Sequence, residues 1–218
     1  MIAKKRIFET GAVLAETLAN DVANWLTKAI AIKGSAVIAV SGGSTPKLFF
    51  ATLSKLKLDW SKVTITLVDE RQVPEDNPRS NARLLRDNLL CNEAVAAQFM
   101  PLYLNPLIDQ IAAFDVVILG MGNDGHTASY FPAGDNLARA IDKANSDAVI
   151  EMNAPGAGEP RLTFTLPRIL AASHLCLHIQ GQDKMQVLDK ALAGKDALEM
   201  PVRAVLHSAK PLDVYWCP

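Results

Sequence analysis

One imidazole in this chain stands in a setting that could do chemistry. His126 closes the run Gly120-Met121-Gly122-Asn123-Asp124-Gly125-His126, two residues after a carboxylate. An imidazole titrates near neutral pH, so it can take a proton and return it, and a nearby carboxylate can hold its ring. A second cluster, Asp69-Glu70-Arg71, puts two carboxylates and a guanidinium directly after the apolar run Val63–Val68. Charges there are costly unless they are paired or face a cleft. A third, Ser41-Gly42-Gly43-Ser44-Thr45-Pro46, joins two glycines and three hydroxyls to a helix start, with Thr45 expected as N-cap and Pro46 at the first helical position. Glycines let the backbone approach a ligand, and the N–H groups of a helix N-terminus suit a phosphate dianion. The spacing is not that of a Walker loop, and the lysine of that motif is missing.

Each cluster also has a plainer reading. The first could be a hairpin at Asp124-Gly125, the second a solvated turn, the third an ordinary strand-to-helix turn. Gly120-x-Gly122-x-x-Gly125 is formally a dinucleotide fingerprint, with Glu151 after a later strand. Against a nicotinamide enzyme, Asp124 would repel a pyrophosphate, and the motif lies mid-chain rather than in the first βαβ unit. His174, His178 and His207 lie in or near strand-like runs and read as satisfied structural residues.

The elements that position these clusters follow from apolar spacing. Val13, Leu14, Leu18, Val22, Leu26 and Ile30 recur at three- and four-residue intervals, which predicts a helix from Thr10, its N-cap, to about Ile32. Strands are expected at Ala36–Val40, Val63–Val68, Asp115–Leu119, Ala148–Met152, Leu162–Leu166 and Leu175–Ile179, with Asp213–Trp216 closing the sheet. Helices are expected at Pro46–Leu56, Ser80–Leu90, Leu107–Ala112 and Asp183–Ala193. Several strands are apolar at nearly every position, as in parallel sheets covered on both faces. If the strands are parallel, all three polar clusters gather at their carboxyl ends, where α/β folds bind ligands.

The bulk composition narrows the field. The 218 residues carry 22 basic and 23 acidic side chains, a net charge of −1, which gives no electrostatic footprint for nucleic acid or a membrane surface. Cys91, Cys176 and Cys217 are odd in number and widely spaced, which suits packed thiols in a reducing compartment. No apolar run approaches the ~20 residues that span a bilayer, and no signal sequence is visible. A single cytoplasmic domain over residues 1–218 is expected, of α/β class.

With these motifs in place, the sequence resembles the 6-phosphogluconolactonases of the sugar-phosphate isomerase/deaminase-like superfamily, over nearly its whole length. Ser41–Pro46, Asp69-Glu70-Arg71-x-Val73-Pro74 with Ser80-Asn81, and Gly120-x-Gly122-x-Asp124-Gly125-His126-Thr127-Ala128-Ser129 carry the likeness, together with Pro160-Arg161-Leu162-Thr163 and Gly181-x-x-Lys184. Gln72, Arg79 and Tyr130 depart from the residues usual at those places. The resemblance implies a Rossmann-like, mostly parallel sheet flanked by helices, of the glucosamine-6-phosphate isomerase/deaminase type. It implies hydrolysis of 6-phospho-D-glucono-1,5-lactone without a cofactor; no metal, nucleic-acid or membrane partner is expected beside the sugar lactone, and the chain is expected as a monomer or weak dimer. Gly42, Gly43, Ser44, Thr45, Arg161 and Lys184 would hold the phosphate or its neighbourhood. Asp69 and Arg71 would meet the lactone end, His126 would activate water, and Asp124 would orient the ring.

Two rival readings fit the sequence less well. A glucosamine-6-phosphate deaminase of this type carries a Glu five residues after the histidine, where this chain has Phe131. A sugar-phosphate sensor would need no His126, and the chain has no room for a DNA-binding helix pair.

Overall fold

The first long helix forms where the spacing places it. In the computed structural model, which describes residues 1–102, 108, 111 and 113–218, α1 runs Gly11–Lys33. Thr10 caps it by accepting from the Val13 amide, and Gly34 ends it in the left-handed conformation. Leu14, Leu18, Val22 and Leu26 lie on its buried face and are fully inaccessible. Each such leucine or valine contributes about 1.5–3 kcal/mol of burial. The helix expected over Leu107–Ala112 lies, apart from Ile108 and Ile111, outside the described residues.

The main sheet joins seven strands: β1 (Ile2–Ile7), β2 (Ala36–Val40), β3 (Val63–Leu67), β5 (Gln98–Met100), β6 (Val116–Leu119), β9 (His174–Gln180) and β10 (Leu212–Cys217). Their order is β1-β10-β9-β6-β2-β3-β5, and every neighbouring pair is parallel. β6 is buried at all four positions, which accounts for its unbroken apolar sequence. The neighbours β6, β2 and β3 carry the three polar clusters at their carboxyl ends, so the clusters share one edge.

The remaining strands depart from a single sheet. β4 (Asp69–Arg71), β8 (Arg161–Phe164) and β7 (Val149–Met152) form a separate antiparallel sheet in that order. The acidic triplet is thus a strand, not a turn. β7 alternates in burial, as an antiparallel strand with one wet face does. Leu166 does not extend β8, because Leu166–Leu170 forms a short helix with Pro167 in its first turn. At the far edge β1 lies outside β10. Its exposed Lys4 and Lys5 hid it from an apolar search, and such charges blunt an edge strand.

The chain steps between the sheets at one residue. The Val68 amide donates to Val40 of the large sheet, while its carbonyl accepts from Phe164 of the small one. α2 (Lys47–Leu53) starts one residue later than expected: Pro46 is its N-cap, and Thr45 makes no cap. α3 (Asn81–Asn88) is capped by Ser80 through the Arg83 amide. Short helices α4 (Leu137–Ala140) and α5 (Leu166–Leu170) precede β7 and follow β8 respectively. The long α6 (Gln182–Ala193) follows β9 directly, and α7 (Val202–Leu206) precedes β10. Among the described residues, no helix is long and apolar enough to cross a membrane.

Candidate active site

A cleft of about 240 Å³ opens at the carboxyl ends of β2, β6 and β9. Gly42, Gly43, Ser44, Thr45, Asp69, Arg71, His126, Arg161 and Lys184 all line it. Asp124 does not line it but supports a residue that does. Nine of the ten residues singled out from the sequence therefore share one wall-to-wall space.

The imidazole is fixed from two sides. Asp124 Oδ1 lies 2.6 Å from His126 Nδ1 and also accepts from the His126 amide at 3.0 Å. Burial would raise the Asp124 carboxyl, but the hydrogen bond and charge of His126 outweigh it and hold it below its ordinary value. An ionised carboxylate can only accept, so Nδ1 is the nitrogen that donates to Asp124, and Nε2 is the one left for other partners. The Phe131 ring packs against the imidazole, centroids 4.3 Å apart. Gly122 completes the seat, because a Cβ there would stand 2.1 Å from His126 Nδ1.

The carboxylates of β4 have divided roles. Glu70 is buried and accepts from the Arg71, Asn81 and Ala82 amides at 2.7, 2.8 and 2.7 Å, and from the Ser80 hydroxyl. Burial nevertheless pushes its carboxyl above the ordinary value, despite those amide donors. It is a tie between β4 and α3, not a group free for substrate. Asp69 instead faces the cleft. It accepts from the Ser129 hydroxyl at 2.6 Å and lies 3.8 Å from Arg161.

Two guanidiniums stand side by side. Arg71 and Arg161 are direct partners across β4 and β8, an unfavourable pairing of like charges unless an anion sits near. Arg71 donates to the Arg79 carbonyl. Arg161 donates to the Ala157 carbonyl at 2.5 Å, and its charge lies 5.3 Å over the Phe131 ring. Burial draws the Arg161 guanidinium below its ordinary value, against the pull of Asp69.

On the opposite wall the Ser41–Pro46 turn presents its backbone. Gly43 takes φ +95°, open to glycine alone without strain. At Gly42 a Cβ would meet Asn81 Oδ1 at 2.0 Å. Lys184, in the first turn of α6, reaches across to donate to Asn123 of the His126 loop.

Sequence reasoning missed several contributors. Phe131 counted only as the absence of an acid, yet it braces both His126 and Arg161. Asn81 donates to the Asp69 carbonyl at 2.8 Å and lines the cleft, with its Oδ1 unpartnered among the described residues. His178 is not a satisfied structural histidine: both ring nitrogens lack a partner among the described residues, and the ring borders the cleft. The three departures from the usual pattern are accommodated. The Gln72 side chain donates to the Arg161 carbonyl at 3.4 Å, Arg79 pairs with Glu159 at 2.9 Å, and Tyr130 donates to the Phe164 carbonyl at 2.6 Å.

Comparison with known proteins agrees with this picture. A family profile described as glucosamine-6-phosphate isomerases/6-phosphogluconolactonase matches residues 9–216. A 6-phosphogluconolactonase of Rhizobium meliloti is 52% identical, with 100% of each chain covered. One of Mesorhizobium japonicum is 50% identical over 94% of this chain and 91% of its own. The crystal structure of a 6-phosphogluconolactonase from Shewanella baltica superposes with a TM-score of 0.94 at 38% identity, covering 99% of this chain and 97% of that one.

Proposed function

Because the chain belongs to the glucosamine-6-phosphate isomerase/6-phosphogluconolactonase family, we propose that it hydrolyses 6-phospho-D-glucono-1,5-lactone to 6-phospho-D-gluconate, with His126 as the base that activates water. The observation that carries this reading is the His126–Asp124 pair at the cleft wall, 2.6 Å apart. It leaves one imidazole nitrogen able to accept a proton.

The Ser41–Pro46 turn and Lys184 hold the phosphate. Arg161, paired with Asp69 and opposite Arg71, completes the anion-binding wall toward the lactone end. There Nε2 of His126 takes a proton from water as its oxygen attacks the carbonyl carbon. Arg71 offsets the charge that grows on the carbonyl oxygen. When the tetrahedral intermediate collapses, the bond to the ring oxygen breaks, and the imidazolium returns its proton to that oxygen. The product is an open-chain acid that ionises in water. A lactone is an activated ester, so a positioned base and a cation suffice and no covalent nucleophile is required. Asp124 stabilises the imidazolium that forms midway.

A deaminase reading fits less well. The residue five after the histidine is the buried, apolar Phe131, which cannot shuttle protons during ring opening. The protein acts as a single domain in the cytoplasm, where its three free thiols remain reduced.

The test is turnover of freshly generated lactone, with spontaneous opening subtracted, by the wild type and by His126→Asn. Loss of the base should lower kcat about 10²–10⁴-fold, with KM little changed. If His126→Asn keeps most of its kcat at unchanged thermal stability, the base lies elsewhere, and Asp69 is the next group to test.

A further inference from the structure

His178 is a buried titratable group that this mechanism leaves unused. It lies on β9 and is 3% exposed. Both its nitrogens are without partners among the described residues, and buried polar atoms left so destabilise a fold unless something else is served. The residues around it on the strand, Leu175, Cys176, Leu177 and Ile179, are all apolar. A leucine or phenylalanine at 178 would fill the space without that cost.

Its surroundings indicate what is served. The ring meets Phe49 edge-on, centroids 6.1 Å apart. Phe49 sits in the first turn of α2, just beyond the Ser41–Pro46 turn. Three residues after His178, Gly181 turns the chain into α6, which carries Lys184. The imidazole therefore borders the cleft between two elements that present donors to an anion.

We propose that His178 is a further substrate-binding residue, whose ring donates one N–H to the phosphate end of the substrate from beneath the Ser41–Pro46 turn. A neutral imidazole always carries one N–H. Burial lowers its pKa to about 4, so the ring adds a donor without adding a positive charge beside Lys184. The inference rests on the phosphorylated-substrate reading above and specifies which group grips the phosphate from below.

Three variants test it. His178→Phe keeps a ring against Phe49, His178→Leu is smaller should phenylalanine not fit, and His178→Gln returns an N–H. Inorganic phosphate serves as the probe, followed by the imidazole ¹⁵N shifts of the wild type, alongside lactone kinetics. Phosphate should shift the His178 nitrogens. His178→Phe and His178→Leu should raise both KM and the phosphate Kd about 10- to 150-fold, the worth of a hydrogen bond to a charged group. Their kcat should hold, and His178→Gln should recover most of the affinity. Unmoved nitrogens, or KM and phosphate Kd unchanged in both apolar variants, would overturn the inference while leaving lactone hydrolysis intact. Weakened phosphate binding in a protein that opens no lactone would uphold it and sink the activity instead.

Discussion

Lys184 and His126 face the same cleft, yet their removal should leave different kinetic traces. In the proposed reaction Lys184 would meet the phosphate, a group unchanged between substrate and transition state. Lys184→Ala should therefore raise KM about 10- to 150-fold with kcat nearly constant; a fall in kcat at constant KM would make it a catalytic group. His178 has a signature of its own in stability. Its pKa falls from the ordinary 6.5 to about 4 on folding. Between those values the unfolded chain binds a proton that the folded chain does not. Stability from this group is thus full above pH 6.5 and is lost as pH drops toward 4. One pKa unit corresponds to about 1.4 kcal/mol, so the whole loss is on the order of 3 kcal/mol. Urea melts of wild type and His178→Leu across that range should diverge as pH falls, the variant losing less. Parallel curves would mean that the imidazole is not held neutral.

Between residues and fold stand the turns and ties that aim them, and here the sequence was only partly legible. Parallel strands, the capped first helix and the gathering of polar clusters at one edge could be read from apolar periodicity and glycine placement. The second sheet could not. A triplet of charges such as Asp69-Glu70-Arg71 carries no strand signal, and only pairing with β8 makes it one. From sequence Glu70 could be read only as paired or facing a cleft, whereas its accepting bonds from the start of α3 define it as a brace. Glu70→Ala should cost about 1–3 kcal/mol by stranding those amides, measurable as a lowered denaturation midpoint. Gly122 is a second such device. Since a Cβ there would stand 2.1 Å from Nδ1 of a ring already pinned by Asp124, Gly122→Ala should displace the base. Its kcat should fall by more than tenfold, while inorganic phosphate still binds with near wild-type affinity. Unaltered kcat would show that the imidazole has room to shift. Phe131 and His178 were misjudged for a common reason: their sequence neighbours do not show that one ring packs on His126 and the other borders the cleft.

At the scale of the whole molecule, the cleft draws on both sheets. Ser44 follows β2 and Lys184 follows β9, while Asp69, Arg71 and Arg161 belong to the small antiparallel sheet. A ligand bridging these walls binds the folded chain alone and stabilises it by mass action. The reaction product 6-phosphogluconate at one hundred times its Kd should add about 2.7 kcal/mol. For a chain of this size that is a rise in Tm of roughly 5–10 °C, and it should shrink in Lys184→Ala at the same ligand concentration.

Val68 belongs to that seam too, since its amide closes one sheet and its carbonyl closes the other. Pulling the two sheets apart at this seam must break a bond at Val68, so the two are expected to open there together, as a unit. Amide hydrogen exchange reports such units directly. The amides of Val68 and Phe164 should exchange at one shared, slow rate set by global unfolding, and ligand should slow both equally.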